Sequence, residues 1–348
     1  MKNTEMHLLV IRTSAMGDVA LTVPVIKGLR EQYPDLAVTM LILPEYRSFF
    51  SNIGNLDFIL PDFKNKYRGL RGIIKLFFEI RKHGGIDHII DLHDVLRSKI
   101  LSFLFRTVGV QVSVIDKGRK QKKDITRGRN KVRLKHTVER YCSVFADAGF
   151  EVKPVTGMVI IPLEESLAKT RILFTGNTGI TYIGVAPYAK HALKTWPEKN
   201  MIGLLEMLEK NHKVKFMFFG GHEELSMLMA LNKIFSGSEL IAGGYSLNEE
   251  LAIMSRLSFM IAMDSSNMHM AALVGTKVIS IWGATDPVTG FGPWLQPDDF
   301  SIRIPAEDLT CRPCSVFGKG KCARGDFACM KWMTPENVYQ KIDKLMFS

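Results

Sequence analysis

Residues 259–287 read FMIAMD, then SSNMH, then MAALVGT, then KVISIWGATDP. An apolar run ends in Asp264, a small polar turn follows, and a short helix-like segment leads into a second apolar run. That run ends in Gly283-Ala284-Thr285. Two buried parallel strands joined by a short helix have this pattern, because a strand covered on both faces is apolar at every position. The turn Ser265-Ser266-Asn267 then falls at the carboxyl end of the first strand, where open α/β sheets bind ligands. Its hydroxyls and the free N–H groups of a helix start suit a diphosphate. A nucleotide-linked substrate is the expected ligand.

Outward from this stretch the same alternation fills the chain. In the first half, strands are expected over 7–11, 37–43, 58–60, 88–91 and 110–114, with helices over 19–33, 69–82, 96–108 and 136–148. Residues 153–162 read as an extended crossing segment, after which the pattern restarts. Strands follow over 180–186, 215–219, 259–263 and 278–282, and helices over 198–210, 223–235, 247–255 and 335–346. The last begins with Pro335, which suits a first helical turn. This is α/β architecture: two doubly wound parallel sheets in tandem, with a cleft between them.

Length and composition agree. The chain has 348 residues, enough for two ordinary domains, and is 46% hydrophobic and 23% charged, as soluble globular proteins are. Its opening, MKNTEMHLLVIR, lacks the features of a signal peptide, and the apolar patch at 103–114 is interrupted by Arg106 and Gly109. A cytoplasmic location is expected, which makes thiols or metal ligands of the crowded cysteines rather than disulfides. These are Cys311, Cys314, Cys322 and Cys329; four thiols at such spacings are candidate ligands for a structural zinc, with free buried thiols or redox-labile pairs as the alternative. Cys142 reads as a small core residue. The net charge of +11 is concentrated: residues 117–135 carry ten Lys or Arg and one Asp. Such a run attracts anionic surfaces, or is a solvated loop. It contains no aromatic residue, which argues against a single-strand nucleic-acid platform, and no nucleic-acid partner is expected.

The segment Arg12-Thr13-Ser14-Ala15-Met16-Gly17-Asp18 follows the first strand. Gly17 permits a tight turn. Asp18 stands where a helix N-cap is expected and either caps the helix or projects as a general base. No G-x-G-x-x-G and no Walker lysine accompany it, so dehydrogenase and P-loop chemistry lose their main support.

IRTSAMGDVALTVPVIKGLREQYP resembles the opening of the heptosyltransferases, glycosyltransferase family 9. APYAKHALKTWP, FFGGHEE, MDSSNMHMAALVGTKVISIWGATDP and the cysteine segment resemble the same family in the same order, over nearly the whole chain. The resemblance implies a GT-B fold of two Rossmann-like domains and an inverting, metal-independent transfer needing no cofactor. It implies ADP-heptose as the nucleotide sugar and an anionic glycolipid, the lipopolysaccharide core, as acceptor. An N-terminal acceptor domain is expected over 1–162, a C-terminal donor domain over 163–334, and a final helix over 335–348 packing back toward the first. The enzyme is expected to be cytoplasmic, peripheral to the inner membrane, with the basic run holding the acceptor or the membrane face.

Residue by residue, the resemblance makes Asp18 the catalytic base and Lys194, in Lys194-Thr195-Trp196-Pro197, the cation on the donor phosphates. Asp264, Ser265, Ser266, Asn267 and His269 match a D-[ST]-G-x-x-H donor loop, except that Ser266 replaces its glycine and puts the loop geometry in question. Glu223 or Glu224 is implied to bind the donor ribose while the other caps a helix. Leu247 is implied to line the adenine pocket, with core packing as its alternative, and residues 283–287 to flank the sugar. Ser14, Met16, Gly17, His93 and Arg97 are the acceptor candidates. A second reading keeps the fold without transfer, as a nucleotide-sugar-binding scaffold or regulator, and rests on Ser266.

Overall fold

The computed structural model describes residues 6–82, 84–175 and 178–348. The strands are β1 (His7–Ile11), β2 (Ala37–Leu41), β3 (Asp57–Ile59), β4 (His88–Asp91), β5 (Gln111–Val114), β6 (Thr181–Ala186), β7 (Val214–Phe218), β8 (Glu239–Leu240), β9 (Phe259–Met263), β10 (Lys277–Ile281) and β11 (Ser301–Ile302). The helices of the first half are α1 (Met16–Ala20), α2 (Val23–Gln32), α3 (Gly69–Lys82), α4 (Leu96–Arg106), α5 (Arg119–Thr126) and α6 (Thr137–Asp147). Those of the second are α7 (Glu164–Thr170), α8 (Glu198–Asn211), α9 (Leu225–Ile234), α10 (Leu247–Met254), α11 (Ser266–Leu273), α12 (Ala328–Lys331) and α13 (Pro335–Met346).

The chain divides into two compact units. One holds the described residues up to Lys117 with Thr137–Ile160; the other holds Gly118–His136 with Ile161–Ser348. In the first, strands run in the order β3-β2-β1-β4-β5, and in the second β11-β10-β9-β6-β7-β8. Every pairing among them is parallel. Both are Rossmann-like orders, whose direction reverses beside β1 and β4 in one sheet and β6 and β9 in the other; ligands bind at such switch points. All five residues of β9 are buried, as its unbroken apolar sequence requires.

Several expected boundaries move for physical reasons. The helix expected over 19–33 is two, α1 and α2. Pro24 lies in the first turn of α2 and has no N–H with which to continue a ladder from α1. The basic run, expected as a loop, contains α5, anchored by the buried Ile125. Residues 222–224 form a 3₁₀ turn ahead of α9. Helices α7 and α12 and the two-residue edge strands β8 and β11 were not expected; they are too short to show a period.

The domain assignment also changes. The basic segment 118–136 groups with the second unit: Leu134 N–H donates to Val288 O at 2.9 Å, and Arg133 pairs with Asp298 at 2.7 Å. The final helix, expected to return to the first domain, packs on α8 within the second. Val338 and Ile342 fill the core there, Phe347 stacks on His212 at 3.7 Å, and His212 meets Asp343 at 2.8 Å. Among the described residues no helix is long and apolar enough to cross a membrane.

Candidate active site

In the second unit the switch point brings together the loops after β6 and β9. Lys194 ends a 3₁₀ turn in the first loop, and Asp264 opens the second; Lys194 Nζ lies 2.8 Å from Asp264 Oδ2. Ser265 is the N-cap of α11, and Ser266 and Asn267 form its first turn. Ser266 has ordinary right-handed helical backbone, so its φ does not require a glycine there. Four buried polar atoms in α11, its N-cap and the loop after β10 are without a hydrogen-bond partner among the described residues: Ser265 Oγ, both ring nitrogens of His269, and Thr285 Oγ1. Leaving each unpaired costs about 1–3 kcal/mol, so a cluster of them marks a place built for a polar ligand. Burial, helped by the charges of His136 and Lys194, pushes the His269 imidazole down to about 3. It is neutral at physiological pH, with one N–H to donate.

The placement of Lys194 follows from its neighbours. Trp196, two residues on, is 1% exposed, and its Nε1–H donates to Met330 O at 3.0 Å and Met333 O at 3.1 Å. The K-x-W-P pattern is thus a core anchor carrying a cation. From the other side, Gly318 lies on the lysine stem: a Cβ there would come within 2.5 Å of Lys194 Cγ, and its φ is +70°. Arg312, buried and absent from the sequence reading, fastens the end of β10. It donates to Gly283 O at 2.7 Å, Thr285 O at 3.2 Å and Trp282 O at 3.3 Å, and also to Ile304 O. A single arginine in a long irregular segment leaves no pattern from which this role can be read.

The two glutamates separate. Glu224 Oε2 accepts from Gly221 N–H at 2.8 Å, so Glu224 is the cap and Glu223 faces solvent. Burial, with Glu223 beside it, raises the Glu224 carboxyl against the pull of that bond. Leu247 is half-buried at the first position of α10, which Ser246 and Glu249 close reciprocally. Glu250, in the same helix, was not singled out from sequence; burial raises its carboxyl to about 7.

In the first unit the switch point joins the loops after β1 and β4. Helix α1 starts at Met16, three residues earlier than expected, and Ala15 is its N-cap. Asp18 therefore does not cap: it sits in the first turn, and its Oδ1 lies 2.6 Å from Arg12 Nη2. Arg12 is buried and also donates to Leu92 O at 2.5 Å. Tyr141 O–H donates to Asp18 O at 3.2 Å. Ser14 and Met16 are half-buried around this start, and Gly17 is buried. His93 is buried too. Its ring nitrogens lie 3.0 Å from Thr13 Oγ1 and 3.2 Å from Ser14 Oγ, and its backbone N–H donates to Asp91 Oδ1 at 2.8 Å. Burial first, then the charges of Arg12, Lys117 and Arg97, pushes the imidazole down to about 3, so His93 is a neutral brace. Arg97 is exposed, with its guanidinium 4.5 Å from the Phe63 ring centroid.

Cys311, Cys314, Cys322 and Cys329 line one cavity of about 20 Å³, and all four are free thiols. Burial raises the Cys329 thiol to about 11. Among the described residues no group of three or more His, Cys, Asp or Glu side chains is arranged to hold a metal. Cys142, half-buried in α6, also has its thiol raised by burial to about 11.

Comparison with known proteins bears on this geometry. The family model for glycosyltransferase family 9 (heptosyltransferase) matches residues 74–314. Lipopolysaccharide heptosyltransferase 3 of Escherichia coli is 25% identical over 293 residues, covering 80% of this chain and 83% of that one. The crystal structure of a family 9 glycosyltransferase from Veillonella parvula superposes with a TM-score of 0.77 at 20% identity, covering 100% of this chain and 99% of the other. Escherichia coli heptosyltransferase WaaC, solved with ADP-2-deoxy-2-fluoro heptose, gives 0.65 at 18% identity, covering 97% and 99%. The fold is GT-B. The chain belongs to glycosyltransferase family 9, the heptosyltransferases.

Proposed function

We propose that this glycosyltransferase moves a heptosyl group from ADP-heptose, with inversion, to a hydroxyl of a lipopolysaccharide core acceptor. The observation that carries the reading is the group of unpartnered buried polar atoms, Ser265 Oγ, His269 and Thr285 Oγ1, beside the Lys194–Asp264 pair. The relatives named as lipopolysaccharide heptosyltransferases, and the neighbour solved with an ADP-heptose analogue, support the donor and acceptor class.

In this reading the donor diphosphate sits at the start of α11. Backbone N–H groups, Ser265 and the His269 N–H donate to it, and Lys194 neutralises it. Asp18 takes the proton of the acceptor hydroxyl as its oxygen attacks the anomeric carbon. The bond from that carbon to the diphosphate oxygen breaks, and ADP departs with an added negative charge. Lys194 and the helix start meet that charge most strongly as it develops, which lowers the barrier rather than only tightening binding. Asp264 holds the lysine head in place, and Arg12 does the same for the Asp18 carboxylate. Glu223 accepts from the ribose hydroxyls, and Leu247 lies against the adenine. Ser14, Met16, Gly17 and Arg97 meet the acceptor, with His93 bracing Ser14. The basic segment 118–136 attracts the acceptor's phosphates, and the reaction takes place in the cytoplasm at the inner membrane.

A thermal-shift screen tests the donor. ADP and ADP-heptose are expected to raise the melting temperature, and UDP and GDP are not. Preferential stabilisation by a uridine or guanosine diphosphate would overturn the reading.

A further inference from the structure

The outer faces of α3 and α4 carry a surface that the transfer reaction does not use. Both helices cover one side of the first sheet. Ile73, Leu76, Phe77 and Ile80 of α3, with Leu101 and Phe105 of α4, pack against Leu9 and Ile11 of β1 and Ile89 of β4. With its inner positions filled in this way, an ordinary surface helix is polar outside. Helix α3 instead turns Leu70, Ile74 and Phe78 to solvent at i, i+4 and i+8, with Leu70 58% and Phe78 54% exposed. On α4, Leu96 and Phe103 are 75% and 60% exposed; seven residues apart, they share a face.

Charge says what covers this stripe. Leaving aside Arg97, assigned above to the acceptor, and Lys99, which pairs with Asp94 at 3.2 Å, the two helices carry Arg71, Lys75, Arg81, Lys82 and Arg106 against a single acid, Glu79. Glu79 is already engaged, accepting from Lys66 at 2.8 Å and from Tyr67 O–H at 2.5 Å. Protein interfaces are depleted in lysine, whereas helices that lie in a membrane interface pair an apolar stripe with long cationic side chains that reach back to phosphates. The complementary partner is negative at its surface and apolar just beneath, which describes a bilayer containing anionic phospholipid.

We propose that the α3–α4 outer face docks the protein on an anionic bilayer, with Leu70, Ile74, Phe78, Leu96 and Phe103 entering the headgroup boundary and the flanking Lys and Arg side chains meeting phosphates. Docking requires neither donor nor acceptor, so it stands or falls separately from the transfer reaction.

Flotation of the full chain with vesicles tests it, using phosphatidylcholine alone or with about a quarter phosphatidylglycerol, with and without added salt. The chain is expected to float with the anionic vesicles and to be released by salt. Phe78→Ser/Phe103→Ser is expected to cut the bound fraction about tenfold, and Lys75→Glu/Lys82→Glu to act similarly, because stripe and charges work together. Lys123→Glu/Arg127→Glu, in the basic segment, is expected to leave flotation within about twofold of the parent. All these positions are exposed, so an unchanged melting temperature shows that each variant is folded. Any one of three results overturns the proposal. The parent fails to float, the serine variant floats like the parent, or the serine variant turns a dimeric parent monomeric in sedimentation while flotation persists. The last would make the face an interface between copies.

Discussion

Asp18 and Lys194 each have one fixed partner of opposite charge, and those pairings set what substitution should do. Asp18→Asn keeps a polar group beside Arg12 but removes the carboxylate proposed as proton acceptor. Turnover is expected to fall by about 10²–10⁴ while ADP still raises the melting temperature as in the parent; parental turnover would place the base elsewhere. The glutamate pair separates binding from structure. Glu223→Ala is expected to weaken ADP-heptose binding about tenfold with no change in melting temperature. Glu224→Ala, which frees the Gly221 N–H, is expected to lower stability by about 1 kcal/mol. The reverse pattern in calorimetry and thermal melts would exchange their roles. Glu250 makes a pH prediction. Its folded carboxyl titrates at about 7, above the unfolded value, so the unfolded chain ionises first as pH rises. Stability is therefore lost between about pH 4.5 and 7 and is unaffected below that window. Glu250→Gln is expected to recover about 1–3 kcal/mol at neutral pH and to flatten that part of the profile in denaturant melts. Legibility at this scale was uneven. Asp18 and Lys194 stand out in motif context. Glu223 and Glu224 are adjacent and chemically identical, and only the turn at Gly221 decides between them. Glu249 accepts from Ser246 and pairs with Lys169, while the neighbouring Glu250 is raised by burial, a difference that one helical turn of sequence does not reveal.

Among the elements, the strands were the most legible and the short pieces least. β9 was expected at its observed bounds because five apolar residues end in an acid, and α13 because Pro335 opens a clear helical period. The break between α1 and α2 was marked by Pro24, yet the apolar periodicity ran through it and hid the stop. The irregular segment after β11 was legible only as a cysteine spacing, and that spacing suggested zinc. In the structure the segment closes over Lys194. Cys314 and Ser315 N–H groups both donate to Ala284 O, at 3.1 and 3.0 Å, and Gly318 lies against the Lys194 stem. Gly318→Ala combines a clash with left-handed backbone. It is expected to lower stability by about 1–2 kcal/mol and, by displacing Lys194, to raise the KM for the donor. A variant with parental KM and melting temperature would show that the loop yields without moving the lysine.

For the whole molecule, the two parallel sheets and their tandem order were legible in the alternation of apolar runs, since each strand and helix carries its own period. Membership of the units was not, because residues 118–136 show a charge run whose anchors, Val288, Gly292 and Asp298, lie far along the chain. The net charge of +11 predicts that attraction for an anionic acceptor weakens as ionic strength rises. The KM for a phosphorylated acceptor is expected to climb with added salt, and Lys120→Glu/Lys123→Glu to raise it at low salt and make the climb shallower. An identical salt response in parent and variant would remove the basic segment from acceptor capture. The discontinuous make-up of the second unit also governs biogenesis and engineering. Ribosomal synthesis delivers residues 118–136 more than 150 positions before Val288, Gly292 and Asp298, so this stretch waits, unclosed, until those residues have been made. A chimera spliced from two such enzymes near residue 160 inherits that stretch from one parent and its docking site from the other; a workable hybrid must carry 118–136 along with the C-terminal gene fragment.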